Sequence, residues 1–460
     1  MKKYLSLFFL VLLGSASFYA VSSYQTKSKP NVLLIVVDTL AAKQLPTFND
    51  KIEIESNFIK KLSDNGLTFQ NAYAASSWTK PSISSILSGL YPKDHGVKIL
   101  ASSLPNEIKT IPSYLREHDY QNFAIVSHTI LNKKSNILKD FDFVKNVNPT
   151  NPHAAIVANT VTNNVIEKLS NRDKSKPFFM FAHYFDPHYN YQDHKSVNYT
   201  DPNYKGKVTS GLHIIKLRDL KFNDEDKKQL VNLYHEEITY TDRALNRLYD
   251  YLKNSKLLGS TIIVFVADHG EELLERGWIG HTKTLYNEII RVPLIISAKD
   301  LKPKEITASV SQIDILPTIL ELLNIKSDTA NASLQGVNLT KAINKNRMLF
   351  SEVTFTSSRH VKDANKIAVI NGLNKLILNR EDNSYEFYNL KDDIDEKNNL
   401  INDSKYQEII ATLKKEISSF ENKVSNKNEN ENKGENKNKN NKDIKFNKKE
   451  LKDLESLGYL

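Results

Sequence analysis

The chain has 460 residues, no cysteine and a formal net charge of +9, with 40% hydrophobic and 25% charged residues. That composition is globular, and the length supports a large core with room for a second subdomain. Zero cysteine excludes disulfides, thiolate metal sites, cysteine nucleophiles and lipid attachment through cysteine.

The chain starts with the basic Met1-Lys2-Lys3, an apolar run over 4–13 and the small residues Gly14-Ser15-Ala16-Ser17. This is the layout of a secretory signal peptide, assigned to 1–22, and it predicts export to a periplasm or the medium. The apolar run falls short of the roughly 20 residues that cross a bilayer. Left uncleaved, it would instead associate the protein with a membrane.

Continuous β-branched and aromatic runs follow at 31–37 (NVLLIVV), 122–127 (NFAIVS), 177–182 (PFFMFA), 261–267 (TIIVFVA) and 292–297 (VPLIIS). Such runs mark strands buried on both faces. Amphipathic stretches separate them, the longest at 228–253. The alternation predicts an α/β fold with a mainly parallel central sheet flanked by helices, forming a main domain over 28–325. After Leu323 the pattern changes. Strands are expected at 347–355, 368–378 and 385–390 and a helix at 405–420, giving a small C-terminal α+β subdomain over 326–420. Residues 421–449 are rich in Asn, Lys and Glu and too poor in apolar residues to offset ordering entropy, so disorder is expected there. That tract holds several of the excess lysines without an aromatic platform, which argues against a nucleic-acid partner. Leu451, Leu454, Leu457 and Leu460 restore an apolar pattern and predict a docking segment over 450–460.

In a parallel sheet, functional residues collect past the carboxyl ends of the strands. Asp38, Asp186 and Asp268 sit there. They belong to three segments: Val36-Val37-Asp38-Thr39, His183-Tyr184-Phe185-Asp186-Pro187-His188, and Ala267-Asp268-His269-Gly270-Glu271-Glu272 followed by Gly280-His281. A single post-strand Asp is ordinarily a helix cap and a single His a packed side chain. Several on neighbouring strand ends converge in space. Carboxylate and imidazole ligands without thiolate favour Zn²⁺ or Mn²⁺, and a carboxylate-dominated set would take Ca²⁺ or Mg²⁺. A fourth segment, Ser76-Ser77-Trp78-Thr79-Lys80-Pro81-Ser82, precedes a helix expected at 82–87. A hydroxyl at a helix N-terminus beside a metal is a candidate nucleophile, and the helix end favours an anion. The plainer reading is a capping hydroxyl ahead of a first-turn proline.

Together these segments resemble the sulfatase family of the alkaline-phosphatase-like superfamily, from Asn31 to about Ile325. NVLLIVVDTL is similar to the family's opening strand and first metal aspartate, and WTKPSISSILSGLYPKDHGV to its nucleophile segment. FFMFAHYFDPHYNY, VFVADHGEEL and GHTKTLYNEIIRVPLII resemble the segments that follow. VSQIDILPTILELLNI and QGVNL resemble the end of the catalytic domain, and FYNLKDDIDEKNNL and LESLGYL the closing elements of the C-terminal subdomain. The resemblance implies Asp38, Asp268 and His269 as metal ligands, with Thr79 as nucleophile and further ligand. It implies Asp186 as a ligand of a second metal. His188, His281 and Lys283 would contact the transferred group or its leaving oxygen. His128 is a weaker candidate for that task, and His95 a structural residue of its turn.

The departures from the family pattern carry information. Where sulfatases place the Cys or Ser that is oxidised to formylglycine, this chain has Thr79, whose β-methyl blocks the aldehyde. Ile83 replaces the arginine that supports the nucleophile, Thr39 replaces a second Asp, and His269 replaces Asn or Gln. The expectation is an exported metal-dependent hydrolase of a sulfate or, favoured by Thr79, a phosphate ester, acting through a covalent threonine intermediate. Its partner would be a small-molecule or envelope ester. A phosphoglycerol- or phosphoethanolamine-type transferase and a non-catalytic binding protein on the same scaffold are the alternatives.

Overall fold

The structure, a computed structural model, describes residues 29–147, 157–326, 334–355, 364–423, 444–456 and 459. The expected signal segment, most of the Asn/Lys-rich tract, Leu457 and Leu460 lie outside the described residues.

The central sheet is built from β1 (Asn31–Val37), β2 (Leu67–Tyr73), β3 (Gln121–Val126), β4 (Phe143–Asn146), β5 (Phe178–Tyr184) and β6 (Thr261–Ala267). A short hairpin, β7 (Glu272–Leu273) and β8 (Ile279–Gly280), follows. The sheet is completed by β9 (Arg291–Val292), β10 (Leu294–Ser297) and β11 (Lys304–Ser311). Spatial order is β11-β2-β10-β6-β1-β5-β3-β4, with β9 on β2. β6, β1, β5, β3 and β4 are mutually parallel, while β10 runs antiparallel to both β6 and β2. The strand expected over 292–297 is broken at Pro293, which has no N–H to give a ladder.

β1, β5 and β6 are buried along their whole lengths, as their unbroken apolar runs demand. Each such Val, Leu or Ile removed from water stabilises the fold by about 1.5–3 kcal/mol. Helices pack on this layer, chiefly α1 (Thr79–Ser88), α2 (Ala158–Ser170), α3 (Asp224–Asn254) and α4 (Ile315–Leu322). An Asn223/Asp226 capping box starts the long α3. No helix among the described residues is long and apolar enough to cross a membrane.

The C-terminal region forms an antiparallel sheet, β12 (Met348–Phe355), β13 (Ala364–Asn371), β14 (Asn374–Asn379) and β15 (Ser384–Asn389), covered by α5 (Gln407–Asn422). The single strand expected over 368–378 is in fact a hairpin. Gly372 turns the chain with φ of +59°, a conformation that glycine adopts without strain. Ile410, Leu413, Ile417 and Phe420 of α5 pack on this sheet, with Phe420 stacked on Phe350 at 4.0 Å.

Among the described residues, several contacts tie this sheet to the central one, Ser309 Oγ of β11 donating to Gly372 O at 2.7 Å among them. Glu352 of β12 donates its N–H to Ala75 O at 2.9 Å and accepts from Ser76 Oγ at 2.6 Å. Elsewhere, fully buried Lys375 pairs with Glu396 at 2.7 Å, and the other Glu396 oxygen accepts the Asn287 N–H at 2.6 Å. Arg276, in the turn between β7 and β8, donates to Glu396 O at 3.1 Å. The chain closes with α6 (Lys448–Ser456), a somewhat earlier placement than the expected docking segment. It buries Leu454 and leaves Leu451 exposed.

Candidate active site

The carboxyl ends of β6, β1, β5 and β3 lie side by side, so the residues just past them share one site. Asp38 follows β1, and its N–H bonds Tyr184 O of β5 at 2.9 Å. Asp268 and His269 follow β6. Asp38, Asp268 and His269 are fully buried, and one ligand atom from each lies within 4.8 Å of the others. Asp268 Oδ1 accepts the N–H groups of Thr39 (3.2 Å) and His269 (2.8 Å), and Asp268 Oδ2 has no partner. Neither oxygen of Asp38 has a hydrogen-bond partner. Thr39 holds φ at +54°, a costly conformation for a β-branched residue. It is fixed there by its N–H to Asp268 and by Tyr234 Oη, which donates to its carbonyl at 2.6 Å.

His269 Nδ1 faces Gly270 O at 2.9 Å. A carbonyl only accepts, so Nδ1 carries the proton and the Nε2 lone pair points inward. Nε2 stands 3.6 Å from both Asp38 Oδ1 and Asp268 Oδ2. Burial, then the charges of Asp268 and Glu271, pushes the Asp38 carboxyl well above its ordinary range. Buried, unsatisfied carboxylate oxygens around an imidazole lone pair are what a divalent cation needs. The donor set therefore fits the expected metal, which Asp38, Asp268 and His269 could hold.

Thr79 is the first residue of α1, entered from extended Trp78. Its Oγ1 lies 3.3 Å from His269 Nε2, at a helix N-terminus whose free N–H groups favour negative charge. Ile83, at the position of the missing arginine, belongs to the apolar core. Lys80 is nearly buried, donates to Leu100 O, and is pushed by burial down to about 7.

His281 follows β8. Its Nδ1 lies 2.9 Å from Glu271 Oε1, and its ring centroid is 4.5 Å from that of His269 and 5.0 Å from that of His188. Gly280, with φ of +116°, leads into it; a Cβ there would meet Arg218 Nη2 at 2.3 Å. The N–H of Thr282 bonds Ser77 O at 3.1 Å and locks this loop to the segment that leads into Thr79. His188 directs Nδ1 to Tyr189 O at 2.7 Å and leaves Nε2 without a partner. Burial pushes His188 down to about 3 and His281 well below its ordinary value, and neighbouring histidines add to both shifts.

Thr79, His188 and His281 thus join the three candidate ligands. Asp186 stands outside the three-residue ligand group; its carboxylate accepts the Val157 N–H, and burial and Glu237 push it well above its ordinary range. Lys283 is half-buried, with its ammonium 4.3 Å from the Trp278 ring centroid. His95 is buried in its turn, with Nε2 at 3.0 Å from Ser85 Oγ and Nδ1 accepting the Val97 N–H.

Sequence reasoning placed His183 in its segment without a role. Its Nε2 lies 3.5 Å from Asp38 Oδ2, and His128 Nε2 lies 3.9 Å from the same oxygen. Asp38 therefore presents one oxygen to His269 and the other to two further imidazoles. Arg218 and Tyr459 were not anticipated. Arg218 donates Nε–H to Ile279 O and has a buried Nη1 without a hydrogen-bond partner; nothing in its surrounding sequence marks it. Tyr459 Oη lies 3.3 Å from Thr79 Oγ1, and its only signal was the terminal LGYL.

The family model described as Sulfatase matches residues 30–325, and one described as N-sulphoglucosamine sulphohydrolase, C-terminal, matches residues 275–423. A sulfatase of Formosa agariphila is 25% identical, covering 84% of this chain and 86% of its own length. An arylsulfatase of Clostridium perfringens is 23% identical, covering 84% and 93%. Among solved structures, one held in complex with its substrate D-glucosamine-2-N,6-O-disulfate superposes with a TM-score of 0.74 at 19% identity, covering 88% of this chain and all of that one. The phosphonate monoester hydrolase of Agrobacterium radiobacter superposes at 0.67 and 16% identity, covering 85% and 95%. At these identities the structural likeness establishes a shared fold.

Proposed function

The chain belongs to the sulfatase family and is a hydrolase of that family, and from this premise we propose that it cleaves a phosphate ester through a covalent intermediate on Thr79. The observation that carries the reading is the Thr79 hydroxyl 3.3 Å from His269 Nε2, beside the unsatisfied oxygens of Asp38 and Asp268.

Asp38, Asp268 and His269 would hold a divalent cation, Zn²⁺ or Mn²⁺ by the donor set, which when bound would supply Lewis acidity and lower the pKa of a nearby hydroxyl. The chain's own residues do the rest. Thr79 Oγ1 attacks the central atom of the ester, forming a bond to it as the bond to the leaving oxygen breaks, and the hydroxyl proton passes through an imidazole of the site to the leaving oxygen. The N-terminus of α1 stabilises the charge on the transferred group. His188 and His281 line the same space, and Glu271 holds His281 with Nε2 turned inward and stabilises it when protonated. Water then displaces Thr79 and regenerates the hydroxyl.

Threonine decides between ester classes. A formylglycine hydrate sheds sulfate by elimination through its second hydroxyl, and Thr79 has a single hydroxyl. A phospho-threonine is open to in-line attack by water. This favours phosphodiesters or phosphonate esters over the sulfate esters after which the relatives are named. The N-terminal segment supports export to a periplasm or the medium.

The test is a side-by-side assay of 4-nitrophenyl sulfate, 4-nitrophenyl phosphate, bis(4-nitrophenyl) phosphate and 4-nitrophenyl phenylphosphonate with Zn²⁺, Mn²⁺, Ca²⁺ and Mg²⁺. Preference for a phosphorus ester, lost in Thr79→Ala, is expected. Preference for the sulfate, or full activity in Thr79→Ala, overturns the reading.

A further inference from the structure

We infer that Tyr459 is a catalytic residue, whose hydroxyl donates a hydrogen bond to an oxygen of the ester group attacked by Thr79. The inference rests on the Thr79 site proposed above and adds a group from the far end of the chain to it.

Three contacts place the hydroxyl. Tyr459 Oη lies 3.3 Å from Thr79 Oγ1, 3.4 Å from His128 Nε2 and 3.5 Å from His281 Nε2. A group attacked by Thr79 must bring its oxygens within reach of these side chains. All three contacts are at the long end of the hydrogen-bond range, so none commits the phenol strongly.

The neighbours fix which way the proton points. His128 Nδ1 accepts the Ile130 N–H at 3.2 Å, so neutral His128 carries its proton on Nε2 and donates toward the phenol oxygen. His281 Nδ1 faces Glu271, and with that carboxylate ionised its Nε2 is left as an acceptor for the phenol proton. The Tyr459 proton is thus directed into the site, toward Thr79 Oγ1 or His281 Nε2, where an incoming ester oxygen can take it.

The ring is held as a preorganised donor must be. It is fully buried and packs against Trp78, Phe355, His128 and His281, with centroids 5.9–6.2 Å apart. Its N–H bonds Leu454 O at 3.0 Å, at the buried face of α6. The stretch leading into it is fastened to the catalytic domain: Ile444 N–H donates to Ala101 O at 2.8 Å, and Lys134 pairs with Glu450 at 2.7 Å.

The test is Tyr459→Phe in the full chain, which keeps the ring and deletes only the hydroxyl. kcat for bis(4-nitrophenyl) phosphate or 4-nitrophenyl sulfate, whichever the wild type turns over faster, should fall by about 100-fold with KM nearly unchanged. Orthovanadate, a mimic of the attacked group, should bind more weakly by a similar factor. Metal content and melting temperature should match the wild type, which separates lost chemistry from lost folding. A Tyr459→Phe rate equal to the wild type with unchanged vanadate affinity overturns the inference. So does a faster rate, which would make Tyr459 an obstacle to substrate. Thr79→Ala, run in parallel, distinguishes the two levels: if it is fully active, the site reading itself falls. If it is inactive while Tyr459→Phe is normal, only the role of Tyr459 falls.

Discussion

Glu271 Oε1 lies 2.9 Å from Nδ1 of His281, and both side chains are buried. The pair fixes the ring orientation and its tautomer, so Glu271 acts through His281. Glu271→Gln keeps an acceptor at the same place and should lower kcat about tenfold with KM retained. Glu271→Ala frees the ring and should cost several-fold more. Equal rates for the two variants would remove the positioning role.

Thr79→Ala should abolish turnover while metal content, read by elemental analysis, stays within a few-fold. Thr79→Ser should keep measurable activity, because it preserves the hydroxyl. A stopped reaction of the wild type should carry the phosphoryl group on the tryptic peptide containing Thr79. Label on another peptide would displace Thr79 from its role.

Asp38 is a buried carboxylate with no hydrogen-bond partner for either oxygen. Its folded-state pKa is raised, so in metal-free protein its stabilising protonated form is lost as pH rises through that raised value, and the charged group is a burden at neutrality. Metal-free Asp38→Asn should therefore melt above the metal-free wild type. Added Zn²⁺ or Mn²⁺ should raise the wild type's stability by about 2.7 kcal/mol at a hundredfold excess over Kd, and leave the variant nearly unmoved. A wild type indifferent to both ions in a thermal-shift titration would exclude the ligand assignment.

His95 is buried, and burial pushes it down to about 3. The unfolded chain then binds a proton that the folded one refuses. The stability so gained is full above pH 6.5 and is lost as pH falls from there toward 3. His95→Gln should be less stable than the wild type at pH 7, and that gap should narrow by about 2 kcal/mol at pH 5. Urea unfolding at the two pH values measures it; a constant gap would show that His95 does not titrate on unfolding.

Much of the site was legible because it stands on strand ends. Unbroken apolar runs identified β1, β5 and β6, and the polar residues just beyond them had to converge once the strands lay adjacent and parallel. The hairpin at Gly372 was missed because two short buried strands and their turn read as one run. Arg218 was missed because it reaches the site from a short helix whose position depends on long-range packing. Tyr459 lies 380 residues from Thr79 in sequence, and no periodicity links them. Asp186 is a post-strand aspartate whose carboxylate accepts the Val157 N–H and which lies outside the Asp38, Asp268 and His269 group.

The buried Lys375–Glu396 pair has a consequence for how the chain can be divided. Glu396 reaches Asn287 and Arg276, and Arg276 belongs to the hairpin that ends one residue before His281. A fragment ending at Ile325 would strip these partners away and leave the hairpin without its abutment. The join between the two sheets is thus a shared foundation rather than a seam, and a point change as remote as Lys375→Met would be felt as a loosened His281.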